Sequence, residues 1–167
     1  MAFNFTFADN QRLGLQIVGA NSTGTSEQPL CFKRAVVDEN NVAGEVMYVG
    51  RGRQSSGNLG LCCSFTLTDN KLTINLTAGT PIFGVAIQDD NLDYIQTGGV
   101  AYVQVDSALT KGAKIYLIAS SRKISAASSG NIEIKGGIAL DPKGKISVNI
   151  KGVPTDLYPV LLNNPHL

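Results

Sequence analysis

The sequence predicts an all-β protein: a small antiparallel β-barrel with extended N- and C-terminal arms. Apolar and polar residues alternate with a period of two in several short segments, which is typical of strands with one buried face. Glycine-containing turns separate these segments, and many short strands at near-regular spacing favour a barrel or sandwich. Helical spacing is scarce, because Gly14 and Gly19 interrupt the pattern of Leu13, Ile17 and Ala20.

Five segments carry the strand signal. Four of them alternate or are rich in β-branched residues, whereas the apolar run Ile115–Ala119 predicts a strand buried on both faces. The other four are Lys71–Thr77, Val100–Val105, Ile132–Lys135 and Ile146–Ile150.

Turn residues predict how some of these strands connect. Pro142 and Gly144 suit the central positions of a turn, so we expect Ile138–Leu140 and Lys145–Ile150 to pair as an antiparallel hairpin. Gly98-Gly99 and Lys111-Gly112 predict two further turns.

The two ends differ from the middle, which divides the chain into an N-terminal arm and loop (1–30), a barrel domain (31–151) and an extended C-terminal tail (152–167). Phe3, Phe5 and Phe7 alternate with polar residues, as in a strand with one aromatic face. The tail is broken by prolines yet rich in apolar residues, so it must cover some surface. That surface belongs either to its own domain or to a neighbouring subunit.

Composition excludes several classes of protein. The net charge is +1 and basic pairs are few, so nucleic acid is not an expected partner. No apolar run approaches the roughly 18–20 residues of a membrane span, and the N-terminus lacks the pattern of a signal peptide. Only 16% of residues are charged, against about 25% in an average domain. This low fraction favours a protein that works in a packed assembly with other protein subunits.

The three cysteines form no disulfide framework, because their number is odd and their spacing is not repeated. Neighbouring strand positions face opposite sides, so Cys62 and Cys63 do not bridge to each other. We favour reduced thiols, at least one of them buried, as in a protein made in a cytoplasm. A bridge from Cys31 to either Cys62 or Cys63 stays open.

No motif for catalysis, a cofactor or a metal ion emerges. His166 is the only histidine, and its place near the end of a proline-broken tail predicts flexibility and a poor catalytic base. The acidic residues of 89–93 lack the spacing of a calcium loop. Gly50-Arg51-Gly52-Arg53 lies between strand-like segments and does not match a phosphate-binding loop. We therefore expect a protein that is not an enzyme.

The order of segments from residue 84 onward is more distinctive than any single motif. It runs Gly84–Ile87, Gly99–Asp106, Leu109–Tyr116, Gly137–Leu140 and then the strand Lys145–Ile150. This order resembles the small β-barrel decoration, or cement, proteins of tailed bacteriophage capsids, and the resemblance covers residues 82–151.

The resemblance implies a virion protein, synthesised in the bacterial cytoplasm, that binds the outside of the phage head. Such a protein bridges neighbouring major capsid subunits and is commonly a homotrimer. Apolar residues in the two arms are then candidates for contacts with other subunits or with the capsid. They are Phe3, Phe5, Phe7, Leu157, Tyr158, Leu161 and Leu162.

Two other functions remain open. A carbohydrate- or cell-surface-binding module of a phage fibre or adhesin would need exposed aromatic residues, yet the chain has no Trp and only 7% aromatics, with Tyr48, Tyr94 and Tyr102 as weak candidates. A hydrolase with two carboxylates could draw on Asp38, Glu39 or Glu45, although nothing in the sequence selects a pair.

Overall fold

The computed structural model describes residues 33–37, 43–48, 57–68, 71–87 and 94–167, and these are almost entirely β-structure. Within these ranges the only helical element is a 3-10 turn at Pro142–Gly144. The strands, in chain order, are β1 (Lys33–Val37), β2 (Ala43–Tyr48), β3 (Cys62–Thr68), β4 (Lys71–Ile74), β5 (Ile82–Ala86), β6 (Tyr94–Val103), β7 (Lys114–Leu117), β8 (Ile124–Ser125), β9 (Ile132–Ala139), β10 (Ile146–Ile150) and β11 (Val153–His166).

One antiparallel sheet contains all of these strands, in the order β4-β3-β5-β6-β11-β9-β7-β8. β2 joins the sheet through β6, β1 pairs with β2, and β10 pairs with β11. The sheet curls into a half-barrel, which brings β8 next to the residues that follow β6. There the Ile124 amide donates to the Gln104 carbonyl, and the Asp106 amide donates to the Ile124 carbonyl, both at 2.9 Å. The predicted all-β antiparallel fold is confirmed.

The main core fills the inside of this curl. Alternate residues of the strands point inward and are fully or almost fully buried, as the period of two requires. Gly137 of β9 also faces this core, where an added Cβ would lie 2.8 Å from Ile115 Cδ1. The principal members are Phe83, Val85, Ala101, Val103, Ile115, Leu117, Ile124, Ile134, Ala139, Val160, Leu162 and Leu167.

A smaller cluster lies under the β10–β11 hairpin. Val148, Ile150 and Leu157 pack there with Leu59 and Tyr102. The hairpin turns at Lys151-Gly152, where both residues have positive φ, 53° and 78°. Such a turn matches the right-handed twist of paired strands.

Most predicted strands are found, but three details are wrong. β9 and β10 do not form a hairpin with each other: each pairs with β11, which is 14 residues long. The segment between them forms the 3-10 turn, capped by Asp141, whose side chain accepts from the Lys143 amide at 2.9 Å. β7 is buried on one face only, because Lys114 is exposed and Tyr116 is half-buried.

The predicted turn at Lys111-Gly112 is present, with Gly112 at a φ of 80°. The turn predicted at Gly98-Gly99 is wrong, because both glycines lie inside β6 beside a register irregularity with β2. The buried Gln96 side chain supports this irregularity by donating to the carbonyls of Gly98 and Val100, at 3.0 and 2.8 Å.

The C-terminal segment is not an arm outside the barrel. Residues 153–166 form β11, which lies between β6 and β9 near the middle of the sheet, and Leu167 is buried. Prolines did not prevent this pairing, since a proline still accepts hydrogen bonds: the Pro159 carbonyl accepts from the Leu140 amide at 3.1 Å. The alternative in which the tail packs on its own domain is the one observed. The N-terminal arm, 1–30, lies outside the described residues.

Candidate protein-binding surface

Two exposed aliphatic residues meet on the outer face of the half-barrel. Leu161 of β11 is 40% exposed and Ile138 of β9 is 45% exposed, and they are directly opposite each other in the register. Leu161 is also opposite Val100 of β6, which is half-buried. Residues directly opposite in an antiparallel pair share a face. Val100, Leu161 and Ile138 therefore form one line across three neighbouring strands, here called the outer row.

The strand pattern fixes the outward direction of the outer row. Each member is flanked along its strand by residues that face the core, such as Ala101, Ala139 and Leu162. A shift of register by one residue would exchange the two sets of side chains, at a large cost in burial. The register of β6, β11 and β9 therefore determines which residues form the outer row.

Among the described residues, the 3-10 turn and the β10–β11 hairpin cover the outer face next to the outer row. Pro159, two residues before Leu161, is buried, and an added Cβ on Gly144 of the 3-10 turn would be 3.4 Å from Pro159 Cγ. Tyr102, opposite Pro159, packs in the cluster under the β10–β11 hairpin. The next outward pair, Leu161 and Val100, lies beyond this cover.

A surface ion pair lies at the β7 end of the outer row. Lys114 is opposite Ile138, and its Nζ lies 2.8 Å from Glu133 Oε1. The hydrogen bond and the charge of Glu133 raise the pKa of Lys114. Since the two charges neutralise each other, this end of the outer row adds no net charge.

The structure separates the residues that were predicted as contacts. Leu157 and Leu162 are 0% and 3% exposed, so the prediction that they contact other subunits is wrong. Tyr158 is half-buried against the core, with Lys145 Nζ 6.0 Å from the centre of its ring. Of the four predicted contacts that the structure describes, Leu161 alone is well exposed.

The remaining predicted contacts, Phe3, Phe5 and Phe7, lie outside the described residues. Sequence reasoning missed Val100 and Ile138 as surface residues. Both stand in runs of apolar residues, Val-Ala-Tyr-Val and Gly-Ile-Ala-Leu, where alternation does not reveal the outward face.

Cys62 and Cys63 belong to the core. Cys62 and Cys63 are buried free thiols, so the bridge to Cys31 that the sequence left open is not formed. Burial raises the pKa of both thiols above the ordinary 9.0, and at Cys63 the Arg122 charge offsets part of the rise. A buried, protonated thiol is a poor nucleophile.

The structure describes two of the acid–base candidates named from the sequence, His166 and Glu45. His166 is paired in β11 opposite Lys135, and its Nδ1 lies 3.1 Å from the Asn164 carbonyl oxygen, so it belongs to a strand of the sheet. Glu45 accepts a hydrogen bond from Thr97 Oγ1 at 3.1 Å. The described part of the chain contains no group of three His, Cys, Asp or Glu residues that could hold a metal ion.

The remaining candidates named from the sequence lie outside the described residues or are described by their backbone alone. Asp38, Glu39, Arg51, Arg53 and the acidic residues of 89–93 lie outside the described residues. Of Tyr48 and Tyr94 only the backbone is described, paired across β2 and β6.

A cavity of about 70 Å³ adjoins Met47, Phe83 and Pro165. Its polar lining comes from Thr97 and Asn164, neither of which is an acid or a base.

Comparison of the chain with protein-family models, with curated proteins and with solved structures finds no match of any of the three kinds. Among the described residues, no helix has the length and apolar character needed to cross a membrane.

Proposed function

We propose that this protein is a non-enzymatic capsid decoration protein. It binds the outer surface of a phage head, bridges neighbouring major capsid subunits and thereby stabilises the shell. The outer row is the observation that carries the proposal, because it presents apolar side chains to solvent on three neighbouring strands of a rigid sheet. The order of strand segments over residues 82–151, which resembles that of such proteins, supports it.

A site built on paired strands suits a role in binding. Side chains on regular elements are held more precisely than those on loops, so little conformational entropy is lost when a partner covers them. The internally neutralised pair Lys114–Glu133 beside the outer row keeps unpaired charge out of the contact.

The energetics favour a protein that acts in many copies. Full burial of a Leu or Ile side chain contributes about 1.5–3 kcal/mol, so covering the exposed 40% of Leu161 and 45% of Ile138 contributes about 2 kcal/mol in total. Even millimolar binding needs about 4 kcal/mol. One outer row is therefore a weak site, and an ordered shell compensates by offering many sites to linked copies.

The test measures binding to heads of the encoding phage that lack the protein. We expect wild-type protein to co-sediment with these heads and the double variant Ile138→Asp, Leu161→Asp to remain in the supernatant. The control is Val153→Asp, because Val153 is 60% exposed but lies in the β10–β11 hairpin, away from the outer row. Absence of wild-type binding, or equal binding by the double variant, contradicts the proposal.

We also propose that the protein is a homotrimer. Light scattering after size exclusion then gives a mass about three times 17.6 kDa. A monomer both in solution and on the head contradicts this part and leaves the binding result unchanged.

A further inference from the structure

A second apolar cluster lies on the face of the sheet that points away from the main core. It consists of Met47, Cys63, Phe65, Ala86 and Ile95 and is here called the back cluster. The register places its members on one face, because opposite residues share a face. The opposite pairs are Phe65–Ile82, Ala86–Ile95 and Ile95–Met47, and Cys63 lies two residues before Phe65. The alternate positions of β3 and β5, such as Cys62 and Val85, face the main core.

The back cluster is shielded from solvent at its centre. Phe65, Cys63 and Ile95 are 0% exposed, and a sheet face reaches such burial when a second layer packs about 10 Å away. Among the described residues, Ile82 is the partly buried apolar residue that packs against the back cluster. Arg122 adds a polar contact at one end, where its Nη2 lies 2.9 Å from Cys63 Sγ. The described strands therefore give this face no apolar second layer of their own.

Length and composition select one stretch outside the described residues as the source of this layer. Residues 1–32 contain four of the six phenylalanines of the chain. This stretch ends beside the back cluster, because Lys33, the first residue of β1, is opposite Met47. Four shorter stretches join described segments, have at most eight residues and contain at most one aliphatic or aromatic side chain each: 38–42, 49–56, 69–70 and 88–93.

We propose that Phe3, Phe5 and Phe7 of the same chain cover the back cluster. In an extended segment these three side chains share one face and span about 14 Å, at about 3.4 Å per residue. The strands β3, β5, β6 and β2 span about the same width, since adjacent strands are about 4.8 Å apart. Residues 8–32, when extended, span up to about 80 Å and so allow the segment to reach any point of this face. These phenylalanines then stabilise the protein's own sheet and are not contacts with the capsid.

Alkylation of Cys63 measures whether the cover is in place. We expect the triple variant Phe3→Ser, Phe5→Ser, Phe7→Ser to raise the rate of alkylation by iodoacetamide in native buffer by about ten-fold or more. Mass spectrometry of the peptide that carries Cys63 gives this rate. The control Asn4→Ser, Thr6→Ser changes the other face of the same segment and should react as wild type does. Equal rates in the two variants, with both folded by circular dichroism, overturn the inference.

A photo-crosslinking phenylalanine derivative at position 5 keeps the aromatic ring and identifies its neighbours. We expect crosslinks to positions 63–65 of β3 and 82–86 of β5 in the same chain, and none there from the same group at position 4. Mixing light and heavy isotope-labelled protein separates crosslinks within one chain from those between copies. Crosslinks between copies, or to other parts of the chain, overturn the inference, also where the triple variant fails to fold. Both experiments use the full chain without phage heads, so their outcome does not depend on the proposed function.

Discussion

Arg122 donates a hydrogen bond from Nη2 to the Sγ of Cys63 across 2.9 Å, and so joins the loop between β7 and β8 to β3. The same guanidinium donates from Nε to the Cys62 carbonyl and from Nη1 to Asn58 Oδ1, both at 3.0 Å. The Arg122 carbonyl in turn accepts from the Cys62 amide at 2.8 Å. Arg122 adopts a φ of 62° to make these contacts. The Arg122 side chain thus links the β7–β8 loop to Cys63 of β3, which is 59 positions away in the sequence.

We expect Arg122→Lys to lower the free energy of unfolding by about 1–3 kcal/mol, because an ammonium group cannot reproduce a planar fork that donates in three directions. Asn58, which is 5% exposed, would also lose a charged donor. Urea unfolding measures the change, and Lys123→Arg next in the chain is the control with no expected effect. If the two variants unfold at the same urea concentration, the guanidinium contacts do not stabilise the fold.

Much of the fold was predictable from local pattern, and its connections were not. Alternation over residues 132–135 and 146–150 predicted strands that became β9 and β10. The turn residues between them wrongly suggested a hairpin, because nothing local shows that β11 offers a partner to both strands. Pairing over long distances in the sequence depends on the whole sheet, which single segments do not encode.

The candidate site was predictable only in part for the same reason. Leu161 was named from the sequence, but Leu157 and Leu162 in the same segment are buried. Outward and inward positions differ here only through the register of β11 with β6 and β9. The outer row contains residues from three strands that are distant in sequence, so no local motif could reveal it.

Ser64→Ala is expected to leave stability unchanged or raise it by up to about 1–2 kcal/mol. The Ser64 hydroxyl is buried in the described structure without a hydrogen-bond partner, so its removal relieves a desolvation cost. The matched control is Ser125→Ala: Ser125 is 2% exposed, and its Oγ accepts from the Ala127 amide at 3.1 Å. Thermal unfolding should order the three proteins as S64A, wild type, S125A, and a loss of stability in S64A equal to that in S125A would refute the assignment.

Gly136→Ala should destabilise the protein far more than Gly130→Ala. The two glycines have nearly equal φ, 76° and 73°, so the backbone penalty of about 1 kcal/mol is shared. An added Cβ meets nothing within 4 Å at Gly130, but at Gly136 it would collide with the Asn163 carbonyl oxygen. Urea titration should show an additional loss of at least about 2 kcal/mol for G136A. Equal losses would mean that β9 and β11 can separate without cost where their register shifts, between Leu162 and His166.

Stability should fall as the pH rises above 9, because burial raises the pKa of Cys62 and Cys63 above their ordinary 9.0. Well below pH 9 both thiols are protonated in the folded and the unfolded chain, so their ionisation does not affect the free energy of unfolding. Above pH 9 the unfolded chain releases protons that the folded chain retains, which favours unfolding until the pH passes the folded-state pKa values. Both thiols contribute to the loss in the same direction, and at Cys63 the charge of Arg122 reduces the contribution. Urea unfolding at several pH values measures it, and the double variant Cys62→Ala, Cys63→Ala should show a shallower decline, since the two proteins differ in these thiols alone. Identical slopes would show that these thiols titrate as freely in the folded protein as in the unfolded chain.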